Sequence, residues 1–414
     1  MLINYIKVAL AVLGRNRFFT FVSLFGISLT LAVLIIVSAF LNQFLHSSYP
    51  NFKKDRILMI QNVGVQNENQ RSSSAASFYL YKNHIKKLKT PEIIGVISYG
   101  QQRNVFIGNQ KLQLYERLSD ANFFEIMDFD FIEGKAYDKG HIERNELVAV
   151  ITKSLAEDYF GTAKGNIGKP IQIEQTSYKV IGVVRDAPSY NSLAYADILL
   201  PYSVSKRNLT KHEITGPFIP LLLAKNKEHK KAIKAEAKAI VNQVAFPPDA
   251  WYEEMSLDVG TNTEFLAKAL VNPRGEMNES ELNKLYAIIF GAMILFMLLP
   301  TLNLINLNSG RIVERASEIG VRKAFGATSS TLAFQFVIEN IIITFIGGVI
   351  GLLLAFGVLK TIEASRYIPH GEFPIDFSVF AYGIFLCFLF GILSGVVPAL
   401  RMSKMSIVSA IKKA

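Results

Sequence analysis

Phe18 to Leu45 reads FFTFVSLFGISLTLAVLIIVSAFLNQFL, without a single Asp, Glu, Lys or Arg. A helix of about 20 apolar residues is enough to cross a bilayer, so this run specifies a first membrane span over 18–45. A cleaved signal peptide would have an apolar core of about 7–15 residues ending at a small-residue site. Phe44-Leu45-His46 is a poor end for one, and the run reads as a retained anchor.

Three more apolar runs follow. Leu285 to Gly310 is uncharged and gives a second span over 285–308, with Pro300 inside it. Proline removes one helix hydrogen bond, which a membrane helix tolerates when its neighbours compensate. A third span covers 331–359 and contains Glu339, and a fourth covers 377–400. The expected fold is therefore a membrane protein of four transmembrane α-helices. A large extracytoplasmic α+β domain, 46–284, is inserted between the first and second spans, and a short outer loop, 360–376, lies between the third and fourth.

Composition agrees. The 414 residues are 50% hydrophobic and only 19% charged, with mean hydropathy +0.27 and a formal charge of +10. Soluble domains carry about 25% charged residues. The basic pI near 9.4 would suit nucleic acid, but the placement of the charges says otherwise. The N-terminal segment 1–17, the segment after span two and the tail 401–414 together hold 11 basic and 2 acidic residues, whereas Asn51 to Lys284 holds 31 and 28. Basic residues flanking spans mark the cytoplasmic side. Both termini are thus expected in the cytoplasm and the nearly neutral insert outside, with membrane lipids and not nucleic acid as the surroundings.

Within the insert, Arg56 to Val63 reads as a strand and Gln66 to Ser74, rich in Ser and Asn, as a loop. Phe78, Tyr81, Ile85 and Leu88 share one helical face. Ile93 to Phe106 holds one or two strands, and Asn122 to Met127 is a short helix capped by Ser119 or Asp120. Leu147 to Ile151 is a buried strand. Thr152 caps a helix that Gly161 ends, and Ile171–Ile173 pairs with Tyr178–Val184. Pro217 to Ala224 reads as a strand, and its prolines favour an edge position. Asn226 to Val244 and Thr261 to Val271 read as helices. Two lobes are expected, an outer one near 119–215 and a membrane-proximal one made of both flanks.

No catalytic constellation emerges, and the chain is read as a non-enzyme. Gly165-Asn-Ile-Gly168-Lys169-Pro170 superficially matches a phosphate loop, but the pattern needs Gly at 163, which is Ala, and Ser or Thr at 170. The six histidines are scattered without metal-binding spacing. Cys387 is the only cysteine, which excludes an intrachain disulfide or a cysteine-built metal site. Asp128, Asp130 and Glu133 read as a solvated turn, and the lysine-rich helix after Lys225 as a solvated face.

The segment after span two, 309–330, which from Arg311 to Ser330 reads RIVERASEIGVRKAFGATSS, is too charged to span and too short to fold alone. Its charges alternate in sign and Ile312, Ala316 and Ile319 share a face, so it should lie on the membrane surface or dock on a partner. Gly320 and Gly326 allow a bend or helix end, and Ala327 to Ser330 can cap the next helix. Gly347-x-x-x-Gly351 and Gly391-x-x-x-Gly395 are small-residue packing patterns, expected to bring spans three and four together. Glu339, a carboxylate inside a span, is a functional candidate.

Glu314 to Ala327, reading ERASEIGVRKAFGA, resembles the cytoplasmic coupling helix of the FtsX/MacB family of ABC-transporter permeases. The resemblance runs on through Gln335 to Glu339. It extends to Arg15-Asn16-Arg17-Phe18, to the periplasmic-core pieces Phe160-Gly161 and Val180 to Val184, and to Val397-Pro398-Ala399-Leu400-Arg401. It implies a permease subunit in the bacterial inner membrane, dimerised with a second permease copy of the same or a different kind. It also implies a partner dimer of ABC ATPase subunits that holds ATP and Mg, so that this chain binds no cofactor or metal itself. Seventeen residues precede Phe18 and no Walker A pattern occurs, so hydrolysis is expected on a separate chain. A periplasmic adaptor and an outer-membrane channel are further partners that the resemblance allows. The ATPase-coupling residues it implies are Arg311, Glu314, Arg315, Glu318, Ile319, Gly320, Arg322, Lys323, Ala324, Phe325 and Gly326. The implied function is mechanotransmission: ATP-driven motion is carried through the spans to the periplasmic domain, for export or extraction of an antimicrobial, peptide or lipoprotein. The alternative is a signalling scaffold that relays the same motion to a cell-wall hydrolase, as FtsX does.

Overall fold

The structure is a computed structural model. It describes residues 17–45, 48–107, 110–273, 275, 277, 279–314, 320–322, 324–365, 367–371 and 373, and the positions 381, 385, 389 and 392. The chain divides into two compact units. One takes Gln43–Leu285 with Ile368–Gly371, and the other takes Met1–Asn42, Tyr286–Tyr367 and Glu372–Ala414.

The first unit is built on strands β1 (Ile57–Gln66), β2 (Arg71–Ala76), β3 (Ile93–Ser98), β4 (Gln101–Ile107), β5 (Gln110–Ser119), β6 (Phe131–Gly134), β7 (Val148–Thr152), β8 (Pro170–Ile173), β9 (Thr176–Val184), β10 (Ile198–Pro201), β11 (Thr215–Gly216), β12 (Phe218–Leu223) and β13 (Glu254–Gly260). The described strands form one mixed 13-stranded sheet in the order β11-β2-β1-β12-β3-β5-β10-β7-β9-β6, with β13 on β1, β4 on β5 and β8 on β9. The expected outer lobe and its flanks are thus parts of a single sheet. They meet where Ile97 of β3 pairs with Ser119 of β5. Parallel pairing occurs in β5–β10 and β7–β9, and the helix over Lys153–Phe160 lies in the crossover of the latter.

Helices cover the sheet. After α1 (Arg17–Leu45), which belongs to the second unit, these are α2 (Phe78–Asn83), α3 (Asn122–Ile126), α4 (Lys139–Glu143), α5 (Lys153–Phe160), α6 (His229–Ala239) and α7 (Asn262–Val271). Their ends follow the side chains. Ser77 caps α2 by accepting from Leu80 N, and Thr152 caps α5 by accepting from Leu155 N. Gly161 closes α5 at φ +76°, a left-handed position that glycine adopts without a Cβ penalty. Thr261 and Glu264 form a reciprocal capping box on α7. Tyr81, Ile85, Val96, Phe218 and Leu222 are buried in one core layer, and Phe123, Tyr137, Val150 and Leu221 in another.

Two sequence expectations are corrected. Ser72, Ser73 and Ser74, expected in a loop, lie in β2 opposite Val65, Gly64 and Val63. Their polarity reflects an exposed face, and the ladder of β1 sets their conformation. Pro220, expected on an edge strand, lies in the fully buried β12 between β1 and β3. It faces Val96, whose N–H donates to Asp120 Oδ1 and whose C=O accepts from Asp120 N. That pair therefore exchanges no ladder bond on the β3 side. On the other side, β1 registers only with residues 221–223 and β2 only with Phe218. The missing proline N–H falls in the gap between them.

The second unit contains α1, α8 (Glu279–Glu314) and α9 (Ser329–Ser365). Thr20–Gln43 and Ser330–Ser365 are long and apolar enough to cross a membrane. α8 contains the expected second span and runs helical through Pro300. The expected fourth span lies largely outside the described residues, with 381, 385, 389 and 392 helical.

Candidate coupling site

α8 does not stop at the apolar boundary. It carries through Arg311 to Glu314, so the start of the charged segment is a continuation of the span and not a separate helix. The expected coupling residues Arg315, Glu318, Ile319 and Lys323 lie outside the described residues, as do Gly391 and Gly395. Gly320, Arg322 and Ala324 are helical.

The turn that follows is well determined by its backbone bonds. Phe325 N donates to Val321 O at 3.1 Å and Ala327 N to Arg322 O at 3.0 Å. Gly326 takes φ +90°, and a Cβ there would have open space around it, so glycine serves the backbone angle and not a close approach. Thr328 then caps α9, with Oγ1 accepting from Thr331 N at 3.2 Å and its carbonyl from Leu332 N at 3.2 Å. Phe325 stands at the apex, 88% exposed within this chain. Among the described residues no apolar side chain covers this aromatic ring on a chain reversal, the kind of feature that marks contact surfaces.

A polar chain leads inward from the turn. Arg322 Nη1 donates to Gln335 Oε1 at 3.0 Å, and Gln335 Nε2 donates to Glu339 Oε1 at 3.1 Å. Glu339 is buried, and so are Asn340 and Thr344 on the same helix. Arg322, expected to face a partner, is thus engaged within the chain. Gln335 is the member that sequence reading gave no role. Its spacing of four from Glu339, one turn of helix, was the available signal.

The glycine pair of α9 faces the first span. A Cβ on Gly347 would lie 2.8 Å from Ile27 Cγ2, and one on Gly351 would lie 2.7 Å from Ser28 O and 3.2 Å from Leu31 Cβ. Ala32, Ile35 and Ala355 bury one another beside this seam. The expected partner was span four. The described packing of Gly347 and Gly351 is with span one, because small residues on α1 (Ser28 and Ala32) let the two backbones approach.

In the sheet domain, Asp120 is the most engaged carboxylate. Oδ1 accepts from Val96 N at 3.1 Å and Phe123 N at 3.0 Å, and Oδ2 accepts from Tyr81 Oη at 2.8 Å. It therefore caps α3, as one of the two expected candidates. Burial pushes its pKa up, against the opposing pull of those three donors. The phosphate-loop look-alike is filled by the protein itself: Glu133 Oε2 accepts from Gly165 N at 2.9 Å and Asn166 N at 3.1 Å. Asp128 pairs with Lys53 at 2.7 Å and Asp130 with Arg185 at 3.9 Å. Among the described residues, no group of three His, Cys, Asp or Glu side chains is placed to hold a metal ion. The outer-loop turn docks on the sheet domain, with Ser189 N donating to Pro369 O at 3.0 Å and His370 Nε2 lying 3.7 Å from Asp186 Oδ1.

Two family models match the chain in succession. The family model of the MacB-like periplasmic core domain matches residues 20–240, and that of the FtsX-like permease C-terminal region matches residues 290–407. The chain is 21% identical over 351 residues to the uncharacterized ABC transporter permease YknZ of Bacillus subtilis, covering 82% of this chain and 81% of that one. It is 22% identical over 422 residues to the pyoverdine export ATP-binding/permease protein PvdT of Pseudomonas syringae, covering 99% of this chain but 59% of the relative. With the macrolide export ATP-binding/permease protein MacB of Acinetobacter baylyi it shares 23% over 299 residues, covering 70% of this chain and 41% of the relative. The chain thus spans only part of the length of those two proteins. Among solved structures, the periplasmic region of MacB from Actinobacillus actinomycetemcomitans superimposes with a TM-score of 0.38 at 14% identity, covering 54% of this chain and 95% of that one.

Proposed function

The chain belongs to the FtsX-like ABC-transporter permeases with a MacB-like periplasmic core domain, and from that premise we propose that it couples ATP hydrolysis on a separate ATPase subunit to motion of its sheet domain. The observation that carries this reading is the exposed Phe325 on a fixed turn, tied by Arg322 and Gln335 to the buried Glu339. Phe325 supplies apolar area for a groove on the ATPase. The hydrogen-bonded chain behind it makes the turn and α9 shift together, as a packed helix moves between discrete arrangements and does not bend continuously. ATP and Mg reside on the partner, and a second permease copy completes the assembly in the inner membrane. The substrate class is an exported or extracted molecule, as the names of the export relatives suggest.

The test is co-purification of the full chain with candidate ABC ATP-binding subunits from the same organism. Retention by the wild-type chain and its loss in Phe325→Asp support the coupling reading. No retention, or retention unchanged in Phe325→Asp, overturns it.

A further inference from the structure

α6 presents Lys231, Lys234 and Lys238 along one side, at the three- and four-residue spacing that stacks side chains on a helix face. Together with Val259 of β13, Glu264 of α7 and Met277, they line a half-open cavity of about 370 Å³. That volume lies within the range of small-molecule sites, roughly 300–1,000 Å³.

Among the described residues the charges in the cavity do not cancel. Lys234 Nζ pairs with Glu264 Oε1 at 2.7 Å. Glu264 Oε2 is meanwhile taken by Thr261 N at 2.7 Å, as part of the α7 cap. The single carboxylate is therefore committed twice. Lys231 and Lys238 flank it, exposed and without a carboxylate partner among the described residues. The nearby Lys268 is bound to Asp258 at 2.5 Å, so Asp258 does not neutralise them either. Two unmatched ammonium groups thus face a pocket whose remaining lining includes the buried Val259 and the thioether of Met277.

A solvated lysine face, the ordinary reading of such a helix, needs no cavity and no apolar floor. We propose that this cavity binds a phosphate-bearing headgroup, with Lys231 and Lys238 on the phosphate and Met277 and Val259 beside its carbon substituents. Ammonium groups are compact point charges suited to phosphate. Met277 precedes Leu285, the first residue of the apolar run of α8, by eight residues. That short connection makes an anionic phospholipid the favoured source over free phosphate.

The test uses the full chain in detergent, exchanged against equimolar phosphatidylglycerol and phosphatidylcholine, with bound lipid read by native mass spectrometry. Phosphatidylglycerol is expected to be retained preferentially. Lys231→Ser with Lys238→Ser should lower its retention roughly 25-fold, since each lysine near an anionic lipid surface contributes about a factor of five. Lys225→Ser with Lys230→Ser removes the same charge outside the cavity lining and should leave retention unchanged, which also controls for folding. Equal loss in both pairs would mean diffuse attraction and overturn the pocket, as would unaltered retention in the first pair. In a second arm, inorganic phosphate is added in thermal melts. Stabilisation by phosphate that is lost in Lys231→Ser/Lys238→Ser, without lipid preference, keeps the phosphate chemistry but overturns the lipid as its source.

Discussion

Arg322 donates to Gln335 across the turn that joins two helical segments, at 3.0 Å. The guanidinium holds the turn against α9, and Gln335 passes the connection on to the buried Glu339. Gln335→Leu removes both hydrogen bonds while keeping the side-chain volume. Hydrogen bonds to charged groups contribute about 1.5–3 kcal/mol each. The expected outcome is an ATPase that still co-purifies but whose activity no longer responds to the permease. An ATPase assay on the reconstituted pair reads this directly.

Gly351→Ala places a methyl group 2.7 Å from the backbone oxygen of Ser28. Backbone cannot swing aside as a long side chain can, so the α1–α9 seam must open, at a cost of about 1–3 kcal/mol. Gly357→Ala meets nothing within 4 Å and is expected to be neutral. Thermal unfolding of the two variants in the same detergent should separate them by several degrees.

Asp120→Ala leaves three donors, Val96 N, Phe123 N and Tyr81 Oη, without their acceptor. Each buried unsatisfied group costs about 1–3 kcal/mol, so the sheet domain should be strongly destabilised. Asp120→Asn can still accept both N–H groups on Oδ1 and turn its amide toward the tyrosine oxygen. It should retain most of the stability, and urea unfolding of the two variants checks the difference.

The pH dependence of the same site has a definite sign. Burial raises the Asp120 pKa above its ordinary value, so the folded state takes up the proton at higher pH than the unfolded chain. Stability from this group rises as pH falls through the raised value toward the ordinary one, and is lowest above it. Comparing Asp120→Asn with the wild type from pH 7 down to pH 4 should show this slope only in the wild type.

Glu133→Ala frees the amides of Gly165 and Asn166. Hydrogen exchange at those two positions should accelerate several-fold, consistent with the loss of charge-assisted bonds. Exchange in the neighbouring β9 should stay slow.

Local signals made much of this fold legible. Thr152, Gly161 and Thr261 mark helix ends by chemistry that acts within a few residues, and the structure places all three there. The family pattern around Gly320 to Phe325 drew attention to the turn at Phe325 and Gly326. Ser72 to Ser74 became a strand because β1 lies beside them, and Pro220 became central because two partners leave a gap at its nitrogen. Both facts depend on residues far away in the chain. Ala32, the small residue that receives Gly351, is likewise hidden in a uniformly apolar run.

The pairing of β1 with β13 has a consequence for biogenesis. Gln66 and Glu254, partners in register and joined by their side chains, stand 188 residues apart. At roughly 5–20 residues per second, the ribosome needs on the order of 10–40 s to supply the second after the first. Until Phe218 emerges, β2 alone of the three neighbours of β1 exists. The apolar start of β1, Ile57 to Ile60, meanwhile has no sheet neighbour, and such an edge recruits other chains. A nascent chain stalled in that interval keeps its sheet open, with α1 made and β12 and β13 still missing.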